Sequence, residues 1–414
     1  MTPSPQQSAV LVFNAGSSSL KLSVIDENET VSDRCDIDKW DGSSDARELR
    51  DYLAALASSG EGPVAIGHRV VHGGGLYTAA TRIDDAVRAG IASLTPLAPL
   101  HQPRALAGIA AATAVFPDLP QVACFDTAFH ADMPLLASTY PLPAAWRDTY
   151  GLRKYGFHGL SHRYASRRAA EMLLASDAEQ DRIVTCHLGA GSSLAAVQSG
   201  RSMETTMGFT PVDGLVMATR SGSVDPGLIA WLADRMPAAE LADALEHKSG
   251  LAALAGLADG SGDYRDVAAA ADAGEPAAIL ALDIHAHRLA TGIAAMAAAM
   301  SGLDALVFTG GIGEHAPAVR ARAATALGFL GIAIDDAANA AAHADADISA
   351  RNARIRTVVV TAREDLEVAR AVLGVLSASL PRYAERTSSA ASAWCSSAGR
   401  SKPTRCPSSA SDGG

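Results

Sequence analysis

Aromatic side chains are scarce in this 414-residue sequence, at 5% against 48% hydrophobic residues in all. Any core must therefore be built from Ala, Val, Leu and Ile, and the length suffices for about two domains. Cysteine is sparse as well: Cys35, Cys124, Cys186, Cys395 and Cys406 are scattered, with no CxxC pair. That excludes a disulfide framework and reads as reduced thiols, the state kept in the cytoplasm. Positive charge is in deficit, with a formal net charge of −11. No nucleic acid and no anionic membrane is expected as main partner, because either needs a positive footprint. Long apolar runs are missing. The best of them, Leu289 to Met300, is Ala-rich and too short to span a bilayer. The N-terminal stretch MTPSPQQSAVLVFN lacks a basic region followed by an apolar one, so it does not read as a signal peptide. The expectation is a soluble cytoplasmic protein. No GxxxxGK[ST] and no HExxH occurs, which removes a Walker-type loop and a helical zinc site. A few Arg and Lys can still make a local pocket for small anions.

What is present begins with Val10 to Phe13, a short apolar strand broken by Asn14-Ala15-Gly16-Ser17-Ser18-Ser19. It resumes as Leu20-Lys21-Leu22-Ser23-Val24-Ile25, alternating as a half-buried strand does. The pattern returns downstream. Ile183 to Leu188 precedes Gly189-Ala190-Gly191-Ser192-Ser193, and Leu194 to Val197 follows. The shared Ala-Gly-Ser-Ser core, flanked by strands both times, predicts an internal duplication with one phosphate-sized turn per half. A third glycine cluster, Gly310-Gly311-Ile312-Gly313-Glu314, follows the strand-like Ala305 to Thr309 and precedes an Ala-rich helical stretch. Before it, Leu282, Ala286, Leu289, Ile293, Met296 and Met300 predict one buried helix face. Strands and helices alternate in both halves, which predicts an α/β protein. From Pro381 to Gly414 the chain is rich in Ser and Ala, without apolar periodicity, and carries five basic and two acidic residues. This is expected to be a disordered tail.

The motifs point further. Asn14 to Lys21 resembles the amino-terminal signature of the acetate kinase family, and Met207-Gly208-Phe209-Thr210-Pro211 through Thr219-Arg220-Ser221-Gly222 resembles its second signature. Gly67-His68-Arg69-Val70-Val71-His72-Gly73-Gly74, Leu97 to His101, Phe125 to His130, Tyr155 to Gly159 and Gly310 to Glu314 fall in the family's order. The likeness runs from about Val10 to Leu380. It implies duplicated ribonuclease H-like, actin-like ATPase domains with a central cleft. The implied boundaries are 8–150 plus 365–380 for an acceptor and metal side, and 151–364 for a nucleotide side. It further implies transfer between ATP and acetate giving ADP and acetyl phosphate, magnesium (for which manganese can substitute), and a homodimer.

Transfer of a phosphoryl group to an already ionised carboxylate needs positioning and charge neutralisation more than covalent help. The resemblance assigns Arg69, Asp126, His158 and Arg220 to catalysis, with Arg69 also at the acceptor. A lone Arg is ordinarily a solvated charge, yet Arg69 sits among apolar residues and Arg220 beside a turn. His158 has the plainer alternative of a hydrogen-bonded structural histidine. Its partnership with His162 in a metal site is not expected, since Gly159 disfavours a helix there. His101 is a weaker candidate for shaping the site. Asn14 and Glu364 are implied at the metal. Around the nucleotide the family implies Ser17, Ser19, Lys21, His187, Gly189, Gly191, Ser192, Asp263, Arg265, Gly310, Gly311, Ile312 and Gly313. Val71, Leu100, Phe157 and Pro211 are implied around the acceptor's methyl group, or else are ordinary core. The sequence departs from the family at Ala190, at His315 and at Ala362-Arg363 before Glu364. Propionate or butyrate as acceptor, a non-kinase actin-like ATP-binding protein, and an inactive paralogue remain as other readings.

Overall fold

The computed structural model describes residues 9–16, 19–59, 62–173 and 182–379. Ser17 and the 381–414 tail lie outside these. Two six-stranded sheets organise the chain. The first contains β1 (Val10–Ala15), β2 (Ser19–Ile25), β3 (Val31–Asp38), β4 (Ala65–Val70), β5 (Thr81–Arg82) and β6 (Gln121–Phe125), in the order β3-β2-β1-β4-β6-β5. The second contains β7 (Arg182–Leu188), β8 (Ser192–Gln198), β9 (Arg201–Thr205), β10 (Ala305–Thr309), β11 (Ala346–Asp347) and β12 (Arg356–Val359). Its order is β9-β8-β7-β10-β12-β11. In each sheet an antiparallel meander of three strands leads into two parallel strands, and a short antiparallel strand ends it. The halves superimpose in topology strand for strand, so the expected duplication is present.

The strands follow from their residues. β10 is buried along its whole length, as a central parallel strand covered on both faces must be. In β2, Lys21 is exposed between buried Leu20 and Leu22. Both glycine-serine turns join antiparallel strands in hairpin register, with Asn14 opposite Lys21 and Leu188 opposite Ser192. The first sheet packs Leu11, Phe13, Leu20 and Leu22 against Leu49 and Leu53 of the helix Arg47–Ser58. The second packs against the helix Pro276–Ala299, whose Leu282, Leu289, Ile293 and Met296 are buried together with Met300 just beyond it. Ala286 on the same face is half-buried. No helix among the described residues is long and apolar enough to cross a membrane.

Two further packings position the site. The helix Glu364–Ser379 returns to the first sheet. A Cβ on Gly67 would lie 2.4 Å from Val368 Cγ1 and 2.8 Å from Val372 Cγ2, so glycine in β4 lets this helix lie close. The expectation of no helix at Gly159 is corrected: the helix Gly159–Leu173 starts there. Glycine is disfavoured in a helix interior, but at the first position the chain needs room. A Cβ on Gly159 would lie 2.0 Å from the Asp126 carbonyl oxygen.

Candidate active site

The parallel strands of the first sheet end side by side, which brings Arg69 of β4 next to Asp126, the residue after β6. Arg69 donates from Nε to Asp126 Oδ1 and Oδ2 at 3.1 Å and from Nη2 to Oδ2 at 2.7 Å. Its Nη1 donates to Asn14 Oδ1 at 2.9 Å, and Asn14 Nδ2 donates to Glu364 Oε2 at 3.1 Å. Four polar residues from three strand ends and the helix Glu364–Ser379 are thus held as one chain of hydrogen bonds. Burial opposes the charge of Arg69, but Asp126 and Glu364 raise its pKa above the usual range and keep it a cation. Burial pushes the Asp126 carboxyl up against the pull of Arg69. Burial also works against ionised Glu364, yet Arg69, His187, the Asn14 hydrogen bond and Lys21 hold it below its ordinary value.

His158 stands between the two sheets. Its backbone is left-handed at φ 53°, unusual for a residue other than glycine, and follows Gly156 at φ 75°. The ring lies 4.3 Å, centroid to centroid, from His187 of β7, and its Nδ1 is 2.9 Å from Ser193 Oγ. His187 Nδ1 in turn is 2.7 Å from Ser161 Oγ. Burial first, then His187, Arg69, His162 and Arg220, push the His158 imidazole well below its ordinary 6.5, so it is neutral at pH 7. Burial, Arg220, Arg69 and Arg104 likewise take His101 down to about 4. The arginines of both halves are therefore felt at one place.

Arg220 reaches that place from a loop braced on both sides. Met217 N–H donates to the Arg220 carbonyl at 3.2 Å, and Ala218 N–H donates to the Ala190 carbonyl at 3.1 Å, joining the loop to the glycine turn. Gly191 lies beneath the site: a Cβ there would be 3.3 Å from Arg220 Nη1 and 3.4 Å from His158 Nε2. Beside Arg220 stands Glu246, 3.8 Å away.

Two cavities flank this cluster. One of about 390 Å³ is walled by Gly189, Ala190, Ser192, Asp263, Arg265, Gly311, Ile312, His315 and Met217. The other, about 360 Å³, is polar and contains Asn14, Ser19, Lys21, Arg69 and Glu364, with Arg34 and Asp365. Gly310 and Gly313 are buried behind the first cavity. Asp263 caps the helix Tyr264–Asp272 and pairs with Arg265 at 2.7 Å. The expected acceptor pocket is gathered only in part: Val71 and Phe157 pack with Met207 and Met217, whereas Leu100 is exposed and Pro211 half-buried outside that cluster. Met207 opens the second signature and Met217 lies within its span, but no place for either in the pocket could be read, because each contact joins distant segments. Glu314 was visible as part of the third glycine motif but without a role. Its Oε1 accepts from both the Gly310 and Ala362 N–H groups at 2.9 Å. The loop before Glu364 is thereby held through its backbone, whatever side chain stands at Ala362.

Glu364 and Asn14 also suit a magnesium ion. They supply one carboxylate and an amide oxygen with a second lone pair left beside Arg69. Among the described residues no group of three or more His, Cys, Asp or Glu converges. The donor set therefore suits an ion that keeps most of its waters and takes other oxygens from phosphates.

Paired strand–turn–strand units, with Arg69 and Arg220 beside two cavities, suit a protein that handles small anions, and comparison with known proteins gives the class as a phosphotransferase. The model of the Acetokinase family matches residues 54–370. The chain is 51% identical to an acetate kinase of Synechococcus sp. over 312 residues, 75% of this chain and 76% of that protein. An acetate kinase structure from Porphyromonas gingivalis matches with TM-score 0.80 and 34% identity, covering 89% of this chain and 100% of that one. A propionate kinase structure from Francisella tularensis matches with TM-score 0.80 and 35% identity, covering 89% and 99%. The chain belongs to the acetokinase family.

Proposed function

We infer that this enzyme is an ATP:acetate phosphotransferase that reversibly forms acetyl phosphate and ADP by direct in-line transfer. The observation that carries the reading is that Arg220 and His158 converge over Gly191 of the second glycine turn, while Arg69 in the other half is held by Asp126 and Asn14 at the polar cavity. An acetate oxygen attacks the γ-phosphorus as the bond to the β,γ-bridging oxygen breaks, and ADP leaves with those electrons. Arg69, fixed by Asp126 and Asn14, turns its remaining Nη hydrogens to the acceptor carboxylate. Arg220 and His158 donate to the equatorial oxygens, where charge is spread in the transition state. Gly189, Gly191 and Ser192 receive the phosphates. Gly310 to Gly313 with Asp263 and Arg265 wall the adenosine, and Ser19, Lys21 and His187 serve phosphate oxygens from the other sides. Magnesium, held through Glu364 and Asn14, neutralises phosphate charge when bound. Val71 and Phe157 receive the acceptor's methyl group, with Pro211 and Leu100 farther out at the rim. The boundaries 8–150 plus 365–380 and 151–364 divide the acceptor side from the nucleotide side. Residence in the cytoplasm and assembly as a homodimer complete the reading.

The test is initial-rate transfer from Mg-ATP to acetate, propionate and butyrate, with the acyl phosphate trapped by hydroxylamine. Acetate is expected to give the highest kcat/KM. Preference for propionate would move the assignment within the family, since one methylene is worth only about 1–3 kcal/mol. No acyl phosphate from folded, ATP-binding protein would overturn it.

A further inference from the structure

Behind His158 runs a buried line of polar groups that the phosphoryl-transfer reading leaves unused. His158 Nδ1 is 2.9 Å from Ser193 Oγ, the same Oγ is 2.7 Å from His162 Nε2, and His162 Nδ1 is 2.7 Å from Thr185 Oγ1. Ser193, His162 and Thr185 are each fully buried, within the second sheet and the first turn of the helix Gly159–Leu173. None of the three lines either cavity.

The logic of the line lies in proton counting. A serine hydroxyl has one proton, so between two imidazole nitrogens it donates to one and accepts from the other. The neutral rings on either side of Ser193 therefore share one sense. Either both carry the proton on Nδ1, or both carry it on Nε2. In the first arrangement Thr185 accepts from His162 and turns its own proton to the Ala195 carbonyl, 3.4 Å away. His158 Nε2 is then a bare lone pair. In the second, Thr185 donates to His162 Nδ1 at 2.7 Å, His162 Nε2–H donates to Ser193, and Ser193 donates to His158 Nδ1. His158 Nε2 then carries a hydrogen. That nitrogen faces the space over Gly191 beside Arg220, where a bare lone pair would repel an anionic oxygen. A second proton on His158 is opposed by burial and by the cations around it.

We propose that Thr185, His162 and Ser193 are positioning residues that lock His158 as its Nε2–H tautomer, a neutral donor aimed at the transferring phosphoryl group. This rests on the functional reading above for the identity of the acceptor, but the tautomer itself belongs to the resting protein.

Nitrogen-15 NMR of the histidine rings in the full, ligand-free chain at neutral pH separates the two. Both His158 and His162 are expected with protonated Nε2 and bare Nδ1, whether or not the chain transfers phosphate to acetate. Protonated Nδ1 in both rings, or opposite tautomers in the two, overturns the proposal. Ser193→Ala is expected to lower kcat about a hundredfold, as for a misaligned oxyanion donor, with KM for Mg-ATP and acetate close to the parent's. Unchanged kcat overturns the role of Ser193. Thr185→Val keeps the packing at the far end of the line. It is expected to give mixed His162 tautomers and a kcat loss of about tenfold; parent-like spectra and turnover remove Thr185 from the relay.

Discussion

Arg69 depends on the planar fork of its guanidinium, meeting Asp126 through Nε and Nη2 and Asn14 through Nη1. An ammonium group has a single nitrogen and no fixed plane, so Arg69→Lys keeps the charge but not the geometry. It is expected to lower kcat/KM for acetate by about a hundredfold or more; activity within a few-fold of the parent would take Arg69 out of the acceptor site. Arg220→Ala is expected to reduce kcat by orders of magnitude with little change in melting temperature, because its loop is braced mainly by backbone hydrogen bonds and its side chain adds only the long contact to Glu246. The unusual settings of these residues, an arginine among Ile66, Val70 and Val71 and an acid straight after an apolar strand, could be read in the sequence, whereas the roles proposed for them come from the family resemblance. Met207, Met217 and Ser193 gave no such sign. Each looks like ordinary core or an ordinary turn until the fold sets it against a partner far away along the chain.

Short elements decide how accurately those residues are held. The short helix Gly310–His315 lines the cavity of about 390 Å³, and a fully buried Arg320 grips it from behind. Arg320 Nη1 donates to the Gly313 and Glu314 carbonyls at 2.8 Å, while Nε and Nη2 donate to Asn339 Oδ1 and its carbonyl at 2.7 Å. Truncation would strand these acceptors without water. Arg320→Ala is therefore expected to destabilise the fold by about 3 kcal/mol and to raise KM for ATP, read by denaturant unfolding and initial rates. Gly159→Ala would force a methyl group onto the Asp126 carbonyl oxygen and the Phe129 Cβ. Overpacking there should cost about 1–3 kcal/mol and lower turnover, since the backbone on both sides carries Asp126 and His158. The helix at Gly159 was misread from sequence because propensity speaks for helix interiors, whereas this glycine is selected by a tertiary contact at a helix start.

At the scale of the whole chain, the duplication was legible from one repeated tetrapeptide between strands. The edge strands β5 and β11 were not, because two residues are too few to show a period. The shared architecture also stores neutral histidines in both halves. Burial takes His68, His72, His130 and His285 down to about 4 from an ordinary 6.5. Between those values the unfolded chain binds more protons than the folded one, so stability falls as pH drops from about 6.5 towards 4. Each group adds up to about 1.4 kcal/mol per pH unit to that slope. Melting temperatures should decline steeply from pH 7 to 5, and a flat profile would mean that these rings titrate in the fold as they do in the unfolded chain. The return of Val368 and Val372 onto Gly67 has a consequence for how the protein is made. A ribosome delivers β1, β4 and β6 first and the helix that covers β4 last. Strands of the second sheet are all translated while that face of β4 is still bare, so nascent chains ending before Glu364 should be cut by protease in the first half and resist it in the second.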